Sequence, residues 1–409
     1  MGLLREHDFR RLFLADTASQ AGAQLLLLAL PLVAVSALHA SEFEVGLLAA
    51  CQTLAFVLIG LPAGAIVDRL RKRVVMIVGD VARALALASV PVAWWLGVLT
   101  VQQLYVVALV LGVFTVFFDV AYQSYLPHLV EREQLVEGNS KLEVVRTVAQ
   151  VGGPSLGGYL IQFLTAPFAL VATVAGFAWS ALCLGMIRKR EPRQEPARTH
   201  LRQEIAEGVR FVFGHPLLRR IVGCTATANL SFAIAQPMSL LLLARELGLD
   251  AGAIGLLMAA GGVGGVVGAL VNARIARRIG QGPMMWLGVA LPAPLAFVMP
   301  WMGADWRLAL FVLYEFCTAA CVVFYNVTQL SFRQAITPEP LLGRMNATIR
   351  FVVWGTLPLG GLIGGALGAA IGVRGTLLVA AVGFCLPCLW LITSPLRTMR
   401  ELPLVQNRS

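Results

Sequence analysis

The chain has 409 residues, 58% apolar and only 13% charged, with a formal net charge of +10 and a mean hydropathy of +0.78. A soluble domain carries roughly 25% charge, so this composition excludes a water-soluble globule. The basic residues sit in clusters between apolar runs, which points to a membrane rather than to nucleic acid as the partner.

At about 20 apolar residues per crossing the chain accommodates roughly a dozen membrane spans. Arg5, Arg10 and Arg11 precede the first apolar run, and no small-residue cleavage site follows a short apolar core, so the first span is expected to be retained with the amino terminus in the cytoplasm. Apolar runs predict six spans at 13–38, 45–67, 74–97, 104–126, 141–164 and 168–186. Six more follow at 217–243, 253–273, 284–302, 308–332, 347–371 and 375–392. Alternate loops carry the basic excess expected of the cytoplasmic side. Arg69, Arg71, Lys72 and Arg73 fill one, Arg274, Arg277 and Arg278 another, and Arg397 and Arg400 lie in the tail, whereas the outer loops hold Arg245, Arg307 and Arg374. This places both termini in the cytoplasm of a multi-pass protein, with the bacterial inner membrane as the expected location.

The polar stretch 188–216 divides the chain into an expected amino-terminal bundle, 1–187, and a carboxy-terminal bundle, 217–409. Residues 201–213 alternate apolar and charged faces at helical spacing, as an interfacial helix on the inner leaflet would. The halves repeat each other: Leu135 corresponds to Leu342, Asn139 to Asn346, and Gly157-Gly158 to Gly364-Gly365. All seven cysteines fall inside apolar runs, and the Cys385-Leu-Pro-Cys388 spacing has no basic neighbour to activate a thiol, so they read as core residues.

Ionisable residues inside spans are costly and therefore functional candidates. They are Asp16, Asp80, Arg83, Asp119, Arg146 and Glu315. Asp16, Asp80 and Arg146 lie near the cytoplasmic ends, where interfacial water makes a structural role equally open. Asp119 is expected to pair with Arg83 or Arg146 across neighbouring helices. Glu315 is the most deeply placed acid, with no base before it in its span. Asp119 and Glu315 are thus the leading candidates for carrying a proton, with packing carboxyls as the alternative. Gln20, Gln24, Gln123, Asn229, Tyr314, Tyr325 and Asn326 are candidate lining for a substrate cavity.

Three motifs give these spans a family likeness. Gly64-Ala-Ile-Val-Asp68-Arg69-Leu-Arg71-Lys72-Arg73, between the second and third spans, resembles the signature Gly-x-x-x-Asp-Arg-x-Gly-Arg-Arg/Lys of the major facilitator superfamily, with Arg71 where glycine is usual. Gly153-Pro154-Ser-Leu-Gly157-Gly158 resembles the Gly-Pro-x-x-Gly-Gly motif of its exporters and antiporters. Asp8-Phe-Arg-Arg11, Leu126-Pro-x-Leu129, Arg146 and Glu207-Gly-x-Arg210-Phe are similar to its macrolide-efflux and enterobactin-exporter branch.

The resemblance implies an all-α membrane protein of about twelve transmembrane helices in two six-helix pseudo-symmetric bundles. It also implies a conformational latch in which Gly64, Asp68, Arg69 and Arg73 engage the start of the eleventh span near Met345 and Arg350. The simpler reading of that loop is a solvated, topology-setting one. Ordinary helix packing is the simpler reading of the glycines.

No Gly-x-x-x-x-Gly-Lys-Ser/Thr loop is present, so ion coupling is expected rather than ATP hydrolysis. The expected function is export of a moderately hydrophobic small molecule such as a drug, antibiotic or siderophore. The expected exporter is a monomer driven by the proton gradient, with no cofactor, metal or nucleic-acid partner. An importer or facilitator, a membrane-embedded enzyme and a sensor are the competing classes. The enzyme would need an assembled His, Asp or Ser constellation, and none is found in the sequence.

Overall fold

The computed structural model describes residues 3–67, 69–130, 134–189, 191, 201–338, 341–395 and 399. Among these the regular structure is helical, without a strand. Helix α1, His7–Leu32, begins six residues before the predicted span. It is followed by α2 (Glu42–Val67), α3 (Lys72–Trp95), α4 (Val101–Leu129), α5 (Leu135–Leu164) and α6 (Ala166–Gly185). After the linker come α7 (Leu201–Gly214), α8 (Pro216–Leu241), α9 (Ala251–Ile279), α10 (Gln281–Ala290), α11 (Pro292–Leu295), α12 (Leu308–Ile336) and α13 (Leu342–Ile392).

One of these differs from the sequence expectation. The predicted ninth span is not one helix: Pro292, Pro294 and Pro300 remove backbone donors, and the chain passes from α10 through α11 into a 3₁₀ segment, Ala296–Trp301. The eleventh and twelfth spans, expected at 347–371 and 375–392, are numbered together here as α13, whose 51 residues would reach about 75 Å if straight, well over one bilayer. Gly372 breaks it with φ 75° and ψ 171°, a conformation open to glycine and strained for any residue with a Cβ.

Ten helical stretches, α13 among them, are long and apolar enough to cross a membrane. Because α13 supplies two crossings and α5 is a further one, the described residues supply twelve. The first turns of α5 carry Glu137, Lys141, Glu143 and Arg146, which dilute its hydropathy, but its 30 residues extend about 45 Å.

The chain packs as two compact units, Met1–Ala197 with Leu243–Ala259, and Arg198–Leu242 with Ala260–Ser409. In the first, α1 lies against α5 and α6, α3 against α4 and α6, and α2 against α4. Phe9, Leu12, Met76, Tyr125 and Leu184 are buried together at its core. In the second, α8 packs along α13, α10 along α12, and α7 on the start of α13. Lipid tails are as apolar as leucine, so burial alone does not hold such helices together; close backbone packing does. A Cβ at Gly360 would sit 2.5 Å from that of Ala233, and one at Gly364 would sit 2.8 Å from the Ile234 carbonyl oxygen.

The internal repeat survives in local detail. Helices α5 and α13 start at Leu135 and Leu342, the two residues matched in sequence. The first span of each half carries a late proline, Pro31 or Pro237, and ends in a π-turn, Val33–Ala37 or Leu242–Glu246. The amphipathic helix α7 is pinned by Glu207 to Arg344, buries Val212, and brings Gly208 against the Arg344 carbonyl and Thr348. Its Val209 and Phe213 are exposed.

Candidate functional site

The basic loop after α2 does structural work that its sequence does not announce. Arg73 donates from Nε to the Leu184 carbonyl at 2.8 Å and from its other end to the Gly185 carbonyl, capping the last turn of α6. The Glu191 carboxylate accepts from the backbone N–H groups of Lys72 and Arg73, both at 2.6 Å, and so satisfies two donors at the start of α3 where the helix dipole favours an anion. Asp8 accepts from the backbone of Arg188 at 2.9 Å and of Lys189 at 3.0 Å, and the Lys189 ammonium donates to the Leu129 carbonyl at 3.1 Å. The first residues of the linker are therefore stitched to α1, α3 and α4, and Arg73 ties α3 to α6. Of the expected latch, Gly64 lies in the last turn of α2, Arg69 is exposed, and Asp68 lies outside the described residues. Arg350 stacks over the Trp354 ring at 4.6 Å.

The glycine-proline segment of α5 is packed on two sides. A Cβ at Gly153 would meet that of Gln24 at 2.5 Å, and one at Gly157 would meet Leu25 at 3.0 Å, so this face lies flat on α1. The other side meets the start of α9: a Cβ at Gly158 would lie 3.0 Å from the Gly255 Cα, and one at Gly255 would run into the Pro154 carbonyl. The Ser155 hydroxyl reaches the Gly255 carbonyl at 3.5 Å. Only glycine on both helices permits this approach.

The charged residues of the first unit form one neighbourhood. Arg83 pairs with Asp80 at 2.5 Å on its own helix, a contact the sequence reading did not foresee. Both are buried, and the guanidinium lies between the rings of Phe118 and Phe177 at 4.4 and 4.5 Å. Asp119 lies within electrostatic reach of Arg83. Asp16 is 2% exposed, accepts from the Gln20 amide at 3.5 Å, and faces Tyr122, with Asp119 and Arg146 within electrostatic reach. Arg146 itself is exposed. The sequence singled out Asp16 but not this setting; the signal was its spacing of four from Gln20 on one helix face.

Glu315 stands apart in the second unit. It has no hydrogen bond or ion pair among the described residues, and a Cβ at Gly261 of α9 would touch its carboxylate at 3.1 Å. Further along the same face, Gly264 lies against Phe316, and Gly268 would bring a Cβ to 2.7 Å from the Ala320 Cα. The acid thus sits at one end of a glycine seam between α9 and α12.

The candidate cavity residues divide. Asn326 is exposed on α12, whereas Tyr314 and Tyr325 are buried. The Tyr325 hydroxyl bonds Thr225 at 2.7 Å and donates to the Ile221 carbonyl at 3.2 Å, tying α12 to α8. Asn229 donates to the Val353 carbonyl at 3.4 Å, and Gln24 packs on Gly153. The side chain of Gln123 lies outside the described residues. No group of three or more His, Cys, Asp or Glu among the described residues is arranged to hold a metal.

Twelve spans joined by short loops, glycine seams between helices and a few acids set inside apolar helices define a polytopic membrane transporter. The chain belongs to the Major Facilitator Superfamily, whose family profile matches residues 12–356. It is a transporter, then, and not an enzyme. It is 29% identical over 415 residues to the multidrug efflux pump Tap of Mycolicibacterium fortuitum, covering 97% of each chain. It is 27% identical over 414 residues to the enterobactin exporter EntS of Escherichia coli O1:K1 / APEC, covering 98% of this chain and 96% of that one. A bacterial homologue of the iron transporter ferroportin in an inward-facing state shares the fold with a TM-score of 0.78 at 17% identity, over 96% of this chain and 99% of that one. The nucleoside transporter NupG does so with a TM-score of 0.75 at 11% identity, over 94% and 98%.

Proposed function

We propose that this protein is a secondary active exporter of small, moderately hydrophobic molecules, a drug, antibiotic or siderophore, working as a monomer in the bacterial inner membrane with both termini in the cytoplasm. The observation that carries the direction of transport is likeness along nearly the whole chain to an efflux pump and to a siderophore exporter. Proton antiport by alternating access is the proposed energy source, with Glu315 and Asp119 as the coupling acids and Arg83 and Arg146 as the cations biasing Asp119. Supporting this is the isolation of Glu315, which has no partner to lose when it takes up a proton. Asp16 belongs in the same group because it shares the Asp119 neighbourhood.

The test is accumulation of a labelled drug panel in energised cells lacking their own exporters, comparing wild type with Asp68→Asn, Asp119→Asn and Glu315→Gln, with and without a protonophore. Lower accumulation in wild type, abolished by the protonophore and by Glu315→Gln, is the expected result. Export that persists in Glu315→Gln overturns the coupling assignment. Equal accumulation of every compound, with the protein present in the membrane, overturns the drug reading.

A further inference from the structure

Between α1, α5 and α6 the first unit holds a cavity of about 570 Å³ whose walls include Phe13, Ala21, Leu25, Val148, Leu160 and Gly176. Among the described residues Thr17 is the one lining residue with a polar side chain, and its hydroxyl already donates to the Phe13 carbonyl at 2.8 Å. A drug or siderophore with donors and acceptors would find no partner there, and leaving buried polar groups unpaired is costly. A hydrocarbon chain asks for none.

The dimensions and the charges one turn before the lining on α1 and α5 agree with that occupant. The lining runs from Phe13 to Leu25 on α1 and from Val144 to Leu160 on α5, about 18 and 24 Å along the helix axes, against roughly 15 Å for one leaflet of hydrocarbon. One turn before Phe13 on α1 stands Arg10, exposed, with no hydrogen bond or ion pair from its side chain among the described residues. One turn before Val144 and Val145 on α5 stands Lys141, whose pairing with exposed Glu137 at 3.0 Å is of the weak surface kind that a phosphate can replace. Arg10 and Lys141 thus stand in the early turns of α1 and α5, the ends that the sequence reading assigns to the cytoplasmic side.

We propose that this groove binds one phospholipid of the cytoplasmic leaflet, an acyl chain lying along α1, α5 and α6 and an anionic headgroup held by Arg10 and Lys141. The chain would lie on Gly152, Gly153 and Gly157, so the lipid backs the glycine-proline segment of α5.

The test titrates the full-length protein, purified in mild detergent, with phosphatidylglycerol or phosphatidylethanolamine of identical chains and counts bound lipid by native mass spectrometry. One phosphatidylglycerol per chain is expected, held several-fold more tightly than phosphatidylethanolamine. Ala21→Phe, which fills the groove, is expected to weaken binding at least tenfold. Leu27→Phe, on an exposed part of α1 outside the groove, leaves it unchanged. Arg10→Gln with Lys141→Gln removes the headgroup preference while the chain still binds. If Ala21→Phe does not fold, Ala172→Leu on α6 fills the same groove. Equal lipid retention by the groove-filling and control variants overturns the proposal, as does multiple binding without headgroup preference. Displacement of the lipid by an exported compound would make the groove a substrate site instead.

Discussion

Two adjacent glycines of α9 allow the seam beside Glu315 to be tested with its own control. At Gly264 an added Cβ runs into the Phe316 carbonyl group, coming within 2.8 Å of its carbon, whereas at Gly265 nothing lies within 4 Å. Backbone cannot rotate away as a side chain does, so Gly264→Ala forces α9 and α12 apart by roughly half an ångström or more, an overpacking cost of about 1–3 kcal/mol. Gly265→Ala meets no obstacle and gains up to about 1 kcal/mol of helix propensity. The two substitutions add the same methyl group to the same helix and share that propensity gain, so they differ by the overpacking cost alone, about 1–3 kcal/mol. Thermal unfolding in detergent should show Gly264→Ala several degrees below wild type and Gly265→Ala at or above it. Because Glu315 stands one turn along the same seam, the first variant should also lose export. Equal unfolding temperatures for the two variants would refute the close packing from which the difference is worked.

Three further outcomes follow from the geometry. Glu191→Gln removes the anion from the start of α3 at a cost of about 1–2 kcal/mol, and trypsin should cut faster after Arg188 and Lys189; an unchanged rate would show that the clip does not hold them. Tyr325→Phe breaks a buried bond between α12 and α8 and should lower stability by about 1 kcal/mol; a wild-type unfolding temperature would count against that tie. In the loop before α12, hydrogen bonds from Arg307 hold the Asp305 carboxyl below its usual 3.8. A carboxyl depressed by folding contributes above its unfolded value and loses that contribution as pH falls through its folded one. The stability gap between wild type and Asp305→Asn should therefore be constant from about pH 5 to 8 and close on acidification below 3.8; a gap that survives strong acid would contradict the pairing.

Spans were legible because a helix in lipid must be apolar along its whole length, and the two matched leucines marked where α5 and α13 begin. The break in the ninth span was present in its prolines, but hydropathy averages over them and returned one run. The cytoplasmic clip was not legible: Asp8, Arg73 and Glu191 lie far apart in sequence and act on backbone groups, which leave no residue pattern. Charge alone singled out Asp80, Arg83 and Asp119 and offered Arg83 or Arg146 as the partner of Asp119, but the ion pair of Arg83 with Asp80, three residues away on its own helix, was not foreseen. The glycines of α5 read as a packing motif, while their partner, Gly255, became visible only when α9 was placed beside them.

The hinge at Gly372 has a bearing on how the topology of this protein is to be mapped. One residue reverses the chain between two spans, and the adjoining Arg374 is held by the carbonyls of Pro300 and Met302 at 2.8 and 3.0 Å. Such a corner offers no slack for an inserted epitope and no extended stretch for a protease to seize, so a reporter placed there would report damage rather than sidedness. Labels meant to read that face belong beside exposed Asp305, which is paired with Arg307 within its own loop and lies apart from the carbonyls that hold Arg374.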